Sequence, residues 1–326
     1  MSDQQVSMSI EDTAQPQPQP QPQAPLPSAA DSRPKTDWWA EAKGVFWLVL
    51  AVLAFHSFLA KPFYIPSESM MPTLIKGDRL VVTKYPYGWS YVSPSITRIP
   101  GAPGRWLGRL TGQDYLSIPF IHGRLFGHLP QRGDVVIAKP PTQYTDYIKR
   151  VIGLPGDRIE LRNGVVILNG VPVKRQFLSP AMIPIDPNIP CDTPDVYRLR
   201  VTGPDGREYC QMPRVRETLP NGVSYDTIDL GPGGQNDDYP ALTIPEGHVF
   251  LMGDNRDQSA DSRVSSMEGG LGGPVPVENL GGRAEFITFS LDGTSTLWNP
   301  ISWFTAMRGG RAGTSLRPAH AEAPAQ

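Results

Sequence analysis

Three short stretches of this 326-residue chain carry residue types that could do chemistry together. The first is Ile65-Pro66-Ser67-Glu68-Ser69-Met70-Met71-Pro72, with two hydroxyls two residues apart between prolines. Taken alone it reads as a Ser-rich turn. The second is Asp146-Tyr147-Ile148-Lys149-Arg150-Val151-Ile152. As a strand it puts Lys149 on one face with Tyr147 and Val151, an apolar setting for an ammonium. Desolvation lowers a lysine pKa, and bringing it from about 10.4 to near 8 costs about 3 kcal/mol. A neutral amine can then take the proton of a serine hydroxyl. By itself, a lysine snorkelling off a strand is the commoner arrangement. The third stretch, Gly253-Asp254-Asn255-Arg256-Asp257-Gln258-Ser259-Ala260-Asp261-Ser262-Arg263, follows a hydrophobic run. It suits either a solvated loop or a hydrogen-bonded network that fixes a site.

Other chemistries find little support. There is no Gly-x-Ser-x-Gly elbow, no His-Glu-x-x-His and no phosphate-cradling glycine loop. Of five histidines, His56 lies in an apolar stretch and His320 near the end of the chain; His122, His128 and His248 read as loop or surface residues. Lys and Arg total 30 against 32 Asp and Glu, without a basic stripe, so the chain has no nucleic-acid footprint. The two cysteines, Cys191 and Cys210, lack metal-ligand spacing; one disulfide or two thiols both fit them until the compartment is settled. No metal or cofactor is expected.

The elements that must position these residues follow a clear order. Residues 1–37 are a Pro/Gln-rich tail that cannot bury enough apolar surface to fold. Residues 38–62 read as one transmembrane anchor, with Trp38, Trp39 and Tyr64 at the interfaces and Lys43 and Lys61 snorkelling. The basic residues on its two sides balance, so the positive-inside rule gives no orientation. Beyond the anchor, alternation and turn residues predict strands at 80–82, 134–137, 147–152 and 249–252, and hairpins at Asn163-Gly164 and Asn169-Gly170. Residues 85–130 are irregular and aromatic, a surface suited to resting on a bilayer. Residues 174–245, rich in Pro and Gly, look inserted, and the end of the chain reads as a polar tail. Leu297-Trp298-Asn299-Pro300-Ile301-Ser302-Trp303-Phe304 fits either an interfacial segment or one packed on the β-core.

Together the three stretches, with Arg132-Gly133-Asp134-Val135-Val136 and the run from Val275 to Ala284, resemble the sequence boxes of bacterial type I signal peptidases. The match covers 60–85, 130–172 and 246–290; it is poor elsewhere. The resemblance implies a mainly β fold: a catalytic domain in two parts (63–157 and 246–295), a β-rich insertion at 158–245, one preceding transmembrane helix and a tail at 296–326. It implies Ser69 as nucleophile and Lys149 as general base. Ser67, with the Ser69 N–H, would form the oxyanion hole, and Ser259 would orient the lysine. Asp254–Arg150 and Asp261–Arg263 would be supporting ion pairs, and Phe63, Ile65 and Ile148 would line the substrate pockets. The implied function is removal of N-terminal signal peptides at Ala-x-Ala sites of exported precursors. It would occur at the bacterial cytoplasmic membrane, with lipids as neighbours, the catalytic domain on the periplasmic or outer side and the tail in the cytoplasm. In that oxidising setting Cys191 and Cys210 would form one disulfide. Three departures stand out. Glu68 occupies a usual Gly position and is expected to face solvent; residues 264–273 suggest a longer, looser loop; and only one anchor is present where some members have two. The alternatives are a conjugative-pilus maturation peptidase, which the precursor-type boxes disfavour, and a self-cleaving repressor, which the anchor disfavours. A catalytically inactive membrane-tethered binding module is the other, and the joint presence of Ser69, Lys149 and Ser259 argues against it.

Overall fold

The computed structural model describes residues 37–90, 92, 123–139 and 146–320. His122 and most of the tail 1–37 therefore lie outside the described residues. Cα packing separates Met1–Phe46 from Trp47–Gln326, and the second unit holds all the sheets. Helix α1 (Trp38–Phe58) is capped by Asp37, whose carboxylate accepts from the Trp39 and Ala40 N–H groups at 3.0 and 3.3 Å. Its 21 residues rise about 31 Å, and it is long and apolar enough to cross a membrane. Lys61, expected to flank the helix, belongs instead to the first strand.

The strands that carry the chemistry form one antiparallel sheet. They are β1 (Ala60–Tyr64), β2 (Asp78–Thr83), β3 (Val135–Ala138), β4 (Tyr147–Gly153), β13 (His248–Met252), β14 (Val275–Pro276) and β15 (Leu280–Ser290), in the spatial order β1-β2-β15-β3-β4-β13-β14. Their Val/Ile/Leu-rich sequences are buried almost throughout β3, β4 and β13, as for strands covered on both faces. Strand β15 pairs with β3 near its start and with β2 over the rest, and register shifts between the two bend it. Gly282 has φ 149° there, and a Cβ would come within 2.4 Å of the Thr83 carbonyl, so the bend excludes any side chain.

Between β4 and β13 lie two further sheets. Strands β5 (Arg158–Arg162), β6 (Val165–Leu168), β7 (Val171–Pro172) and β12 (Tyr239–Thr243) run in the order β12-β5-β6-β7. Their hairpins turn at Asn163-Gly164 and Asn169-Gly170, all four residues having positive φ as two-residue primed turns demand. The other sheet contains β8 (Lys174–Pro184), β9 (Arg200–Thr202), β10 (Glu208–Thr218) and β11 (Val223–Ile228). Before β9 comes a one-turn helix, α2 (Pro194–Tyr197). Cys191 and Cys210 form a disulfide inside a small core with Ile183, Ile189, Val196 and Met212. Closing a loop of this size is worth about 3 kcal/mol in the chain-entropy account.

Residues 297–320 differ from the polar tail read in the sequence. Helix α3 (Pro300–Thr305) leaves Trp298 91% exposed and Ile301 and Phe304 over 70% exposed, so the aromatic stretch does not pack on the β-core. After it, Arg308 donates to Asp186 and to the Lys76 carbonyl, Arg311 pairs with the buried Asp78, and Leu316 enters the core beside Ile65, Met70 and Leu80. Strand β16 (Ala319–His320) then joins β11. The polar composition hid this because the attachment is made largely by arginine forks onto distant carboxylates and carbonyls.

Candidate active site

The segment between β1 and β2 is held by its apolar residues. Ile65, Met70 and Leu74 are buried, the Leu74 N–H donates to the Met70 carbonyl, and Ile65 exchanges backbone bonds with Asp78 and Gly77. That leaves Ser69 at the surface of the core with 8% exposure. A second loop grips it from the other side: the Asn255 N–H donates to the Ser69 carbonyl at 3.1 Å, and Asn255 Nδ2 to the Glu68 carbonyl at 3.2 Å. The approach is so close that a Cβ on Gly253 would stand 2.4 Å from the Ser69 carbonyl and 2.1 Å from Ser259 Oγ.

On β4, Lys149 is 2% exposed, with its ammonium 5.7 Å from the Tyr147 ring centroid. Lys149 Nζ lies 2.7 Å from Ser69 Oγ. Burial lowers its pKa to about 8; the Asp261 and Asp254 carboxylates push it back up, and Arg263 pushes it down. Two residues 80 positions apart are thus brought within one hydrogen bond.

The supporting charges are equally dry. Asp254 accepts from Arg150 Nε and Nη2 at 2.7 and 2.6 Å and from Thr73 Oγ1 at 2.6 Å. Asp261, fully buried, accepts from the Gly253 N–H at 2.9 Å and from both Nε and Nη2 of Arg263. Burial alone would raise its pKa, but the Arg263 guanidinium and these hydrogen bonds hold it below the usual carboxylate range. The structure therefore brings together Ser69, Lys149, Asp254, Arg150, Asp261 and Arg263.

Other expected residues take less direct places. Ser67 Oγ lies 3.4 Å from Ser69 Oγ, and the Ser69 N–H makes no hydrogen bond among the described residues. Ser259 Oγ is buried and has no hydrogen-bond partner among the described residues: the Lys149 amine donates to Ser69. Ile65 and Ile148 are only 1% and 6% exposed in the apolar core, which leaves Phe63 as the accessible member of the expected pocket lining. Glu68 is half-buried, not turned fully to solvent. Its pKa is raised by desolvation, opposed by Lys76 and reinforced by Asp192. The loop 264–273 is not loose: Leu271 donates to the Asp261 carbonyl, Gly270 to Ser265 and Gly272 to Val264, and the Tyr147 hydroxyl bonds the Gly269 carbonyl. Its glycines tighten the turns. Sequence reading missed Thr73 as a partner of Asp254, and Asn255 as the clamp on the serine segment. Thr73 directly follows the first stretch and Asn255 lies in the third, but their partners are some 180 residues away.

Among the described residues, no group of three or more His, Cys, Asp or Glu could hold a metal ion. His248 bonds the Glu246 carbonyl, and His128 is exposed on its loop.

The family described as "Signal peptidase, peptidase S26" matches residues 38–289. A signal peptidase I of Rickettsia akari is 34% identical over 263 residues, which cover 78% of this chain and 80% of that protein. One of Rickettsia typhi is 34% identical over 75% of this chain and 77% of its own length. A solved signal peptidase I of Enterococcus faecalis V583 has 22% sequence identity and a TM-score of 0.24, covering 48% of this chain and 97% of that one. The chain belongs to the signal peptidase family, peptidase S26, and is a serine peptidase of the kind that removes signal peptides from precursor proteins.

Proposed function

We propose that the chain is a membrane-bound serine endopeptidase that removes N-terminal signal peptides from exported precursors by a Ser69/Lys149 dyad. The observation that carries this reading is the 2.7 Å bond between a buried lysine of depressed pKa and a serine hydroxyl. Neutral Lys149 takes the Ser69 proton as Oγ attacks the scissile carbonyl. The resulting oxyanion accepts hydrogen bonds from the Ser69 N–H and the Ser67 hydroxyl. The lysine ammonium then protonates the departing amine, which leaves as the new N-terminus of the mature chain, and an ester remains on Ser69. A water gives its proton to Lys149 and attacks the ester; collapse releases the signal peptide carboxylate and returns the proton to Ser69. The role proposed for Ser259 is to orient the lysine during this second step; its buried hydroxyl has no other hydrogen-bond partner among the described residues, which supports that reading.

Recognition of a small residue before the scissile bond, as in Ala-x-Ala, is proposed at Phe63, which packs against the core that holds Ile65 and Ile148. Helix α1 would span the bacterial cytoplasmic membrane, with the sheets on the periplasmic or outer side. The Cys191–Cys210 disulfide supports an oxidising compartment for them. Phe58, Trp89 and Phe126 stack edge to face beside the helix end, with Phe126 84% exposed, which supports contact with lipid at the interface.

The test is cleavage of an Ala-x-Ala precursor by the full chain in detergent or vesicles. Ser69→Ala and Lys149→Ala should each abolish cleavage, and joint replacement of His122, His128 and His248 should leave most of it. An inactive triple-histidine variant that is folded would overturn the lysine-base reading. Ser67→Ala should lower kcat by about 10²–10³.

A further inference from the structure

Resting on the Ser69/Lys149 reading, we propose that Tyr225, a residue of the inserted sheet, is a positioning residue for the dyad that acts through Arg150 and the Asp254–Arg256 loop. The Arg150 guanidinium lies 4.3 Å over the Tyr225 ring. With one face against the ring and its edge forked onto Asp254, the planar group is fixed in both tilt and position. The ring is fixed in turn. Its hydroxyl donates to Glu217 Oε2 at 3.0 Å, and Glu217 is held by two bonds from Arg256, at 2.8 and 2.5 Å. All five of these side chains are buried, so each charge depends on its partner to stay where it is.

This chain of contacts ends on the catalytic pair. The final residue of β11, Ile228, donates its N–H to the Asp254 carbonyl and accepts from the Arg256 N–H, both at 2.9 Å. Asn255, between them, holds the Ser69 carbonyl. The inserted sheet therefore grips the loop whose middle residue sets the nucleophile and whose first residue bears a carboxylate felt by Lys149. Nothing else in the proposed mechanism calls for an aromatic ring at residue 225, and the ring could have packed without its hydroxyl being tied to a buried carboxylate.

The effect has a sign. The charged and titratable groups around Lys149 are Asp254, Asp261 and Arg263 from the loop, and Ser69 and Tyr147 from the nucleophile segment and β4. If Arg150 loses its stacked face, it neutralises Asp254 less completely and water gains access to the ion pair. Both changes favour the ammonium form of Lys149, so the acid limb of the kcat profile moves to higher pH.

The experiment measures kcat and KM against pH for the full-length enzyme in detergent micelles, normalised to active sites by acylation of Ser69. Tyr225→Leu should lower kcat about tenfold near pH 8, leave KM within about twofold and move the acid limb up by about half a pH unit or more. Tyr225→Phe keeps the stacked face and should restore the wild-type limb. Tyr225→Met, unbranched and more adaptable in shape, repeats the test should the Leu variant not fold. A Leu or Met variant of lowered thermal stability but unmoved limb would make Tyr225 a packing residue and overturn the proposal. Lys149→Ala in the same assay separates the two ideas: residual cleavage there would mean that the dyad reading itself has failed.

Discussion

Two lysines are buried in the same half of the molecule, and they differ in everything but depth. Lys149 and Lys84 are each 2% exposed, and burial is the largest cause lowering the pKa of both, to about 8 and about 7. Around Lys149 the strongest charges are the carboxylates of Asp261 and Asp254, which limit its fall, and its ammonium meets a serine hydroxyl at 2.7 Å. Around Lys84, at the end of β2 and bonded through its backbone to Leu59, the leading charges are Lys139 and Lys61, which push it down further, with Asp146 opposing. A depressed amine is thus common to a site proposed for proton transfer and to a crowded basic cluster near the end of α1. The first faces the Ser69 hydroxyl at 2.7 Å, and Asn255 holds the backbone of that serine.

The sharpest way to break this comparison is to remove each amine. Lys149→Ala should abolish precursor cleavage, whereas Lys84→Met should leave kcat within about threefold; a folded but inactive Lys84→Met variant would erase the distinction. Next in size is Asp261→Asn. It removes a charge that raises the Lys149 pKa and strands the buried Arg263 guanidinium, so both changes disfavour the ammonium. In the wild type, kcat should rise with pH through about 8. In the Asn variant the limb should lie at lower pH, with kcat at its plateau reduced at least tenfold by loss of the Gly253 and Arg263 anchorage.

Smaller effects concern stability. The folded pKa of Lys84 lies below the unfolded value of about 10.4, so between about 7 and 10 the unfolded chain binds more protons and stability rises with pH. Lys84→Met should flatten that slope and raise the urea midpoint at pH 7, read by fluorescence unfolding at several pH values; a lowered midpoint would mean that the amine is held favourably. The smallest change is expected from Lys139→Met. Removing one like charge raises the Lys84 pKa and narrows the pH window of the slope from its acid side, while cleavage stays at the wild-type level.

What the sequence made legible was local. The apolar runs of β3, β4 and β13 and the two Asn-Gly turns announce themselves within a few residues, and so do the apolar length of α1 and the Ser67/Ser69, Lys149 and Gly253–Arg263 stretches. The contacts that finish the site are not local. Tyr225 under Arg150 and Glu217 against Arg256 join residues 75 and 39 positions apart with no periodicity to betray them, and Thr73 with Asp254 spans 181. Ile65 illustrates the opposite error. The family resemblance gave it a place in the pocket lining, and the structure shows it 1% exposed and packed with Leu316, a residue from what read as a tail.

That late stretch has a consequence for how the molecule is made. Strand β15 occupies the middle of the seven-stranded sheet, and Arg311 reaches back 233 residues to Asp78, beside the serine segment. A growing chain holding Ser69, Lys149 and strands β8 to β11 still lacks the strand that joins β2 to β3 and the guanidinium that neutralises Asp78. Such high contact order delays folding until nearly all of the polypeptide has left the ribosome. The two halves of the catalytic sheet, with their hydrophobic edges bare, are then the stage of biogenesis most open to aggregation and proteolysis.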